Sequence, residues 1–150
     1  MKEIKPQLIT VCKQLLKERL HKAQEAMTAI EEALTSETKS SAGDKHETGR
    51  AMLQLEREKN GQRLAEAEQT NRYFSAIDFE SQPDRVKLGS LVKTEEHYYF
   101  ISVSLGAVTV QNTPVFCISL QSPIGKLLLG KTKEETITFN GKAITVQDIY

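Results

Sequence analysis

The sequence predicts an α+β protein: a long N-terminal antiparallel α-helical hairpin, then a small antiparallel β domain with one short helix. Three observations carry this reading. No proline stands between Gln7 and Gln82, so nothing forces a break in helical structure there. Residues 1–75 hold 13 Lys/Arg, 12 Asp/Glu and ten Val/Ile/Thr, whereas residues 76–150 hold seven, eight and 21. Seven of the nine aromatic residues also fall in the second half. Straight-chain charged residues lose little rotamer freedom in a helix, while β-branched and aromatic residues suit a pleated surface.

Taken in order, the first helix is expected from about Pro6, tolerated in a first turn, to about Leu34. Its apolar positions Ile9, Cys12, Leu16, Leu20, Ala23, Met27, Ile30 and Leu34 recur every three or four residues, which makes a seam for one partner helix. The tip is expected over 35–49, where TSETKSSAGD is rich in turn formers. A second helix follows from Asp44 to about Phe74, with Met52, Leu55, Leu64, Ala67 and Phe74 as its apolar stripe. The hairpin domain spans 1–77 and the β domain 78–150, divided at the turn-rich Ser81–Asp84. Strands are expected at Leu91–Thr94, Tyr98–Ser104, Val108–Val110, Val115–Leu120, Thr136–Phe139 and Ile144–Ile149. Ser122 reads as an N-cap, Pro123 as N1 and Gly130 as the residue after a helix end. The helix between them is expected to pack on the sheet through Ile124, Leu127 and Leu128. Asn140-Gly141 is a two-residue hairpin turn.

Balanced charge, 20 Lys/Arg against 20 Asp/Glu in 150 residues with a mean hydropathy of −0.41, argues against a protein that wraps nucleic acid. No apolar run is long enough to span a bilayer, and MKEIKPQLIT lacks the apolar core of a secretory signal. Cys12 and Cys117 form no CxxC pair and read as small core residues of a protein in a reducing cytoplasm. His21, His46 and His97 lie on different elements, no nucleophile motif accompanies them, and neither a P-loop nor GxGxxG is present. The exceptional stretch is Gly43–Gly49. Asp44 and Glu47 fit a capping box at the second helix's start. Such a pair could also complete a Mg²⁺ site that another macromolecule half supplies, though on spacing alone the cap is the stronger reading.

At this point the residues resemble a family. Gly43-Asp44-x-x-Glu47 at the tip, the charged run Glu56–Asn60 after it, and Ser122-Pro123-Ile124 followed by Leu128, Gly130 and Lys131 are together similar to the Gre-type transcript cleavage factors of bacterial RNA polymerase. Thr48 and Ala51 stand where that family has Asn and Tyr. The resemblance implies an FKBP-like fold for the β domain. It implies docking on RNA polymerase through Ser122, Pro123, Ile124, Gly130 and Lys131, and entry of the hairpin into the secondary channel. Asp44 and Glu47 would then help hold Mg²⁺ in the polymerase active site and orient the water that cleaves backtracked RNA. Lys39, Lys45 and Arg50 are the candidate contacts to the nascent RNA 3′ end. The protein would be an activator and not an enzyme, with no cofactor of its own, no membrane partner and no independent DNA binding. Two other readings stay open: a secondary-channel regulator that does not stimulate cleavage, and an FKBP-like chaperone or interaction protein.

Overall fold

The computed structural model describes residues 3–39 and 44–150, and side chains other than those of 38–46. Its elements in chain order are α1 (Ile4–Lys39), α2 (Asp44–Ser75), β1 (Leu91–Thr94), β2 (Tyr98–Ile101), β3 (Gly106–Val110), β4 (Thr113–Ile118), α3 (Pro123–Leu128), β5 (Thr136–Phe139) and β6 (Lys142–Ile149). The architecture is α+β, a long helical pair followed by a six-stranded sheet. The chain divides into a helical unit, Gln14–Arg72, and a sheet unit made of Met1–Lys13 with Tyr73–Tyr150.

In the helical unit α1 and α2 run antiparallel. Asn71 Nδ2 donates to Leu16 O at 3.2 Å, while Glu37 lies beside Gly49 toward the other end. The α1 seam follows the expected positions, with Leu16 and Ile30 buried and Leu20, Ala23, Met27 and Leu34 half-buried. The α2 seam follows them in part: Leu64 and Ala67 are half-buried and Phe74 is buried, but Met52 is 60% and Leu55 61% exposed, and Gly49, Leu53, Asn60, Gly61, Thr70 and Asn71 are half-buried as well. The half-buried side of α2 thus mixes Leu53 and Leu64 with small and polar residues, while two of its larger hydrophobes stay exposed. Asn71 shows how such a seam holds: its amide bonds its own helix at Ala67 O, 2.9 Å, as well as Leu16 O. A seam asparagine of this kind fixes register more than it adds stability. α1 also continues past Leu34 to Lys39. Its Ser/Thr residues need not end it, because Thr35 Oγ1 returns a hydrogen bond to Glu31 O at 2.9 Å.

In the sheet unit the strand order is β3-β4-β2-β1-β6-β5. All pairs are antiparallel except β2 with β4, which run parallel, so the expectation of a wholly antiparallel sheet is corrected at that pair. The cause is the path after β2. The chain crosses to the sheet edge as β3, turns at Gln111-Asn112 with φ of 50° and 62°, and returns as β4 between β3 and β2. Two successive positive φ values match the twist of a tight hairpin. Asn140-Gly141, with φ of 52° and 77°, makes the expected turn between β5 and β6.

Both faces of the sheet are covered. In β2, Tyr99, Phe100 and Ile101 are all buried, although alternate residues of a strand point to opposite faces. Tyr99 and Ile101 join Val92, Val146, Ile124 and Leu128 in the core under α3. Phe100 faces the other way, 5.4 Å from the Phe79 ring, which in turn lies 5.1 Å from Phe74. On that face Cys12 of α1 meets Cys117 of β4. Lys5, only 8% exposed, donates to Tyr150 O at 3.1 Å, and its burial lowers the pKa of the ammonium.

On α3 the expected set of core contacts is corrected at one residue. Ile124 and Leu128 are buried, but Leu127 is 38% exposed, because a helix of six residues turns only one side to the sheet. We therefore expect Leu128→Ala to destabilise the protein by about 2–5 kcal/mol and Leu127→Ala by less than about 1 kcal/mol in urea unfolding. Equal losses would contradict the packing. A Cβ added at Gly61, inside α2, meets nothing within 4 Å. Gly61→Ala is expected to raise stability by roughly 1 kcal/mol through helix propensity alone, read as a higher thermal midpoint.

Candidate functional site

The tip lies between the end of α1 at Lys39 and the start of α2 at Asp44. Positions 44 and 47 both fall in the first turn of α2, and residues three apart on a helix share a face. Glu47 and Arg50 are exposed. The side chains of Asp44, Lys45, His46 and Lys39 lie outside the described residues, as does Gly43. The amino end of a helix carries partial positive charge, which favours carboxylates there.

The structure adds a carboxylate that sequence reasoning missed. A Cβ at Gly49 would stand 3.6 Å from Glu37 Oε1, so the last turns of α1 bring Glu37 against the second turn of α2. Only the antiparallel register reveals this, since 37 and 49 fall on different helices. Among the described residues no group of three His, Cys, Asp or Glu side chains is placed to hold a metal ion. Further along the helical unit, a cleft of about 440 Å³ opens between α1 and α2. Arg19, Lys22 and Arg63 line it with Glu66, over a floor that includes Ala23 and Ala67. Small seam residues leave the space, and the flanking cations make it basic. Of the candidate RNA contacts, Arg50, whose side chain is described, is not among its lining residues.

The second candidate segment is α3 with the residues after it. Ser122 Oγ accepts from Gly125 N at 3.1 Å and donates to Ser119 O at 2.7 Å, so it caps the helix as its sequence position implies. Pro123 occupies the first turn. Gly130, at φ +81°, ends the segment; its N–H donates to Val86 O at 2.8 Å and its carbonyl accepts from Arg85 at 3.2 Å. Lys131 pairs with Glu135 at 3.9 Å. The Thr132 hydroxyl, 2.7 Å from the Glu135 carboxylate, holds that carboxyl below its usual range, with Lys131 and Arg85 adding to the effect. Ile124 is in the core and Ser122 in the cap, so the exposed surface of this segment is Pro123, Lys126, Leu127 and Leu129. Gly125 escaped notice in the sequence, yet the close approach of α3 to the chain depends on it: a Cβ there would lie 2.2 Å from Ser119 O.

The aromatic residues of the sheet unit form no single pocket. Phe100 stacks with Phe79 on one face. Tyr99 and Phe116 lie 6.0 Å apart and meet the edge of His97, which is 5.0 Å from Phe116. His97 itself sits in the β1–β2 turn, where Thr94 Oγ1 both accepts from its N–H and donates to its carbonyl.

These elements define a chain with a two-helix unit, its second helix opening with Asp44 and Glu47, and a mixed sheet unit carrying a capped short helix. No protein-family model matches the chain, and no curated protein matches it. Among solved structures it is similar to the transcription factor Gfh1, at 19% identity over 92% of each chain and a TM-score of 0.39. It is similar also to Gfh1 of Thermus aquaticus, at 20% identity over 91% of this chain and 92% of that one, with a TM-score of 0.35.

The local geometry of α3 yields a direct test. Gly125→Ala is expected to destabilise the sheet unit by about 1–3 kcal/mol, because the new methyl group overpacks against a carbonyl. Ser122→Ala should remove about 1 kcal/mol by loss of the cap. Thermal unfolding of both variants checks the pair, and a neutral Gly125→Ala would refute the close approach.

Proposed function

We propose that the protein is a Gre-type transcription elongation factor that binds bacterial RNA polymerase, inserts its helical pair into the secondary channel and stimulates cleavage of backtracked RNA. One observation carries the reading: the Gly-Asp-x-x-Glu sequence coincides with the start of the returning helix of an antiparallel pair. The Ser-Pro-Ile…Gly-Lys segment, which the same resemblance singles out, supports it as a capped helix with an exposed face of mixed apolar and cationic character.

In this mechanism the polymerase supplies the active site and its Mg²⁺, which activates water and neutralises charge on the RNA phosphate. Asp44 and Glu47 fit that role by chemistry, since Mg²⁺ takes one or two protein carboxylates and fills its remaining positions with waters and phosphate oxygens. On this chain they would place negative charge at the first turn of α2, help hold a Mg²⁺ ion of the polymerase there and accept a hydrogen bond from the attacking water. Arg50, Lys39 and Lys45 neutralise phosphates of the extruded RNA strand, contacts that position without reading sequence. The exposed face of α3, with Lys131, docks on the polymerase. The chain itself performs no bond-breaking chemistry.

The test separates charge from helix capping. In Asp44→Asn with Glu47→Gln, both amides keep shape and capping capacity but lose the charge that Mg²⁺ requires. Stability is expected to stay within about 1 kcal/mol, polymerase binding to persist and stimulated cleavage by a stalled, backtracked polymerase to be lost. Full stimulation by the double variant refutes the acidic mechanism. Binding without stimulation by the unmodified protein would favour instead a secondary-channel regulator, with Thr48 and Ala51 as the differing positions.

A further inference from the structure

We propose that Cys12 and Cys117 are a redox-responsive pair, which a hydroperoxide closes to an intramolecular disulfide joining α1 to β4. They are the two cysteines of the chain and stand 105 residues apart in sequence, yet their sulfurs lie 3.7 Å apart. Their side chains are 0% and 1% exposed. A disulfide needs its sulfurs about 2.05 Å apart, so bond formation requires an approach of about 1.6 Å between neighbours already in contact. With no third cysteine in the chain, an intramolecular bond can form in one way only. The pair lies wholly within the sheet unit and takes no part in the mechanism proposed above.

The sulfurs are not equivalent. The bond shared by the two sulfurs, in which either can donate, and burial push the Cys117 thiol up, while the same bond lowers the pKa of Cys12. Of the two, Cys12 is therefore the sulfur at which the thiolate, the nucleophilic form, is favoured. Its thiolate attacks the outer oxygen of the hydroperoxide. The O–O bond breaks, an S–O bond forms, and the alcohol or water leaves with a proton, so Cys12 becomes a sulfenic acid. The Cys117 sulfur then attacks the Cys12 sulfur. The S–S bond forms, the S–O bond breaks, and the hydroxide takes the Cys117 proton and departs as water. Two thiols lose two electrons and two protons, and the peroxide receives them. Access to sulfurs this buried comes from local opening of the first turns of α1, which makes the reaction slower than at an exposed thiol. In the closed form the start of α1 is held on β4 covalently, and the unfolded chain is constrained by a loop of about a hundred residues.

The experiment uses the full chain. Folded protein is treated with hydrogen peroxide, then with or without dithiothreitol. Free thiols are counted by maleimide labelling in denaturant, intact mass is measured, and the thermal midpoint is recorded. We expect both thiols to disappear together, the monomer mass to fall by two hydrogen atoms, and the midpoint to rise by several degrees, all reversed by dithiothreitol. Cys12→Ala and Cys117→Ala should each abolish the rise. Should either variant fail to fold, proteolytic mapping of the oxidised unmodified protein must recover the Cys12–Cys117 linked peptide. Thiols that stay free in folded protein, oxidation to sulfinic acid, covalent dimers, or a midpoint unchanged by oxidation would each overturn the pairing.

Discussion

A sheet whose central strand is apolar on both faces must be covered on both, and this constraint organises the sheet unit. Tyr99, Phe100 and Ile101 are consecutive and all buried. The sheet's own chain provides one cover, α3, whose six residues shield the face of Tyr99 and Ile101. The face of Phe100 needs residues from elsewhere. Leu8 and Cys12 of α1 and Phe74 at the end of α2 are almost completely buried in the same unit. At roughly 25 cal/mol per Å² of apolar surface, each large side chain so buried contributes on the order of 2 kcal/mol. Uncovering Phe100 and its neighbours would thus remove a large fraction of the 5–15 kcal/mol by which a domain is typically stable. One helix, α1, accordingly supplies residues to two units. The buried Lys5 lies in the same part of α1; its ammonium is retained by a bond to Tyr150 O.

Much of the fold was legible because its signals are local. β1 and β5 have the bounds their alternation and turn residues imply, and α3 begins with the Ser-Pro pair that marks a capped start. What escaped was non-local. The parallel β2–β4 pair depends on β3 passing to the edge before β4 returns, and no run of residues within either strand encodes that order. The turn at Gln111-Asn112 was silent because glutamine rarely adopts positive φ, which costs a non-glycine residue about 1–2 kcal/mol. In α2 the apolar pattern held at Leu64, Ala67 and Phe74 but misled at two positions. Met52 and Leu55 are its conspicuous hydrophobes but face solvent, while the seam uses Gly49, Asn60 and Asn71.

The candidate site divides along the same line. The Asp44–Glu47 spacing was visible, because three residues in a helix start is a local relation. Glu37 was not, since its neighbour Gly49 belongs to the other helix. The basic cleft of Arg19, Lys22 and Arg63 was hidden for a similar reason: three cations dispersed over two charged helices look like ordinary solvated surface until the register aligns them. In α3 the motif residues were found but their duties were mixed. Ser122 and Ile124 serve the helix and its core, whereas the residues available to a partner include Leu129 and also Leu127, which read as core.

That residues 4–13 belong to the sheet unit also bears on how the chain is made. Translation delivers this segment before the sheet, for Cys117, its contact on β4, follows Cys12 105 positions later. Until then Ile4, Leu8 and Cys12 have no sheet to cover, although the helical pair of 14–72 can already form from contacts close in sequence. Structures that wait on distant pairings assemble slowly and leave apolar surface open to other chains in the interval. The nascent protein would therefore pass through a state in which its helical unit is built and its amino-terminal turns are sticky, a natural client for a ribosome-associated chaperone.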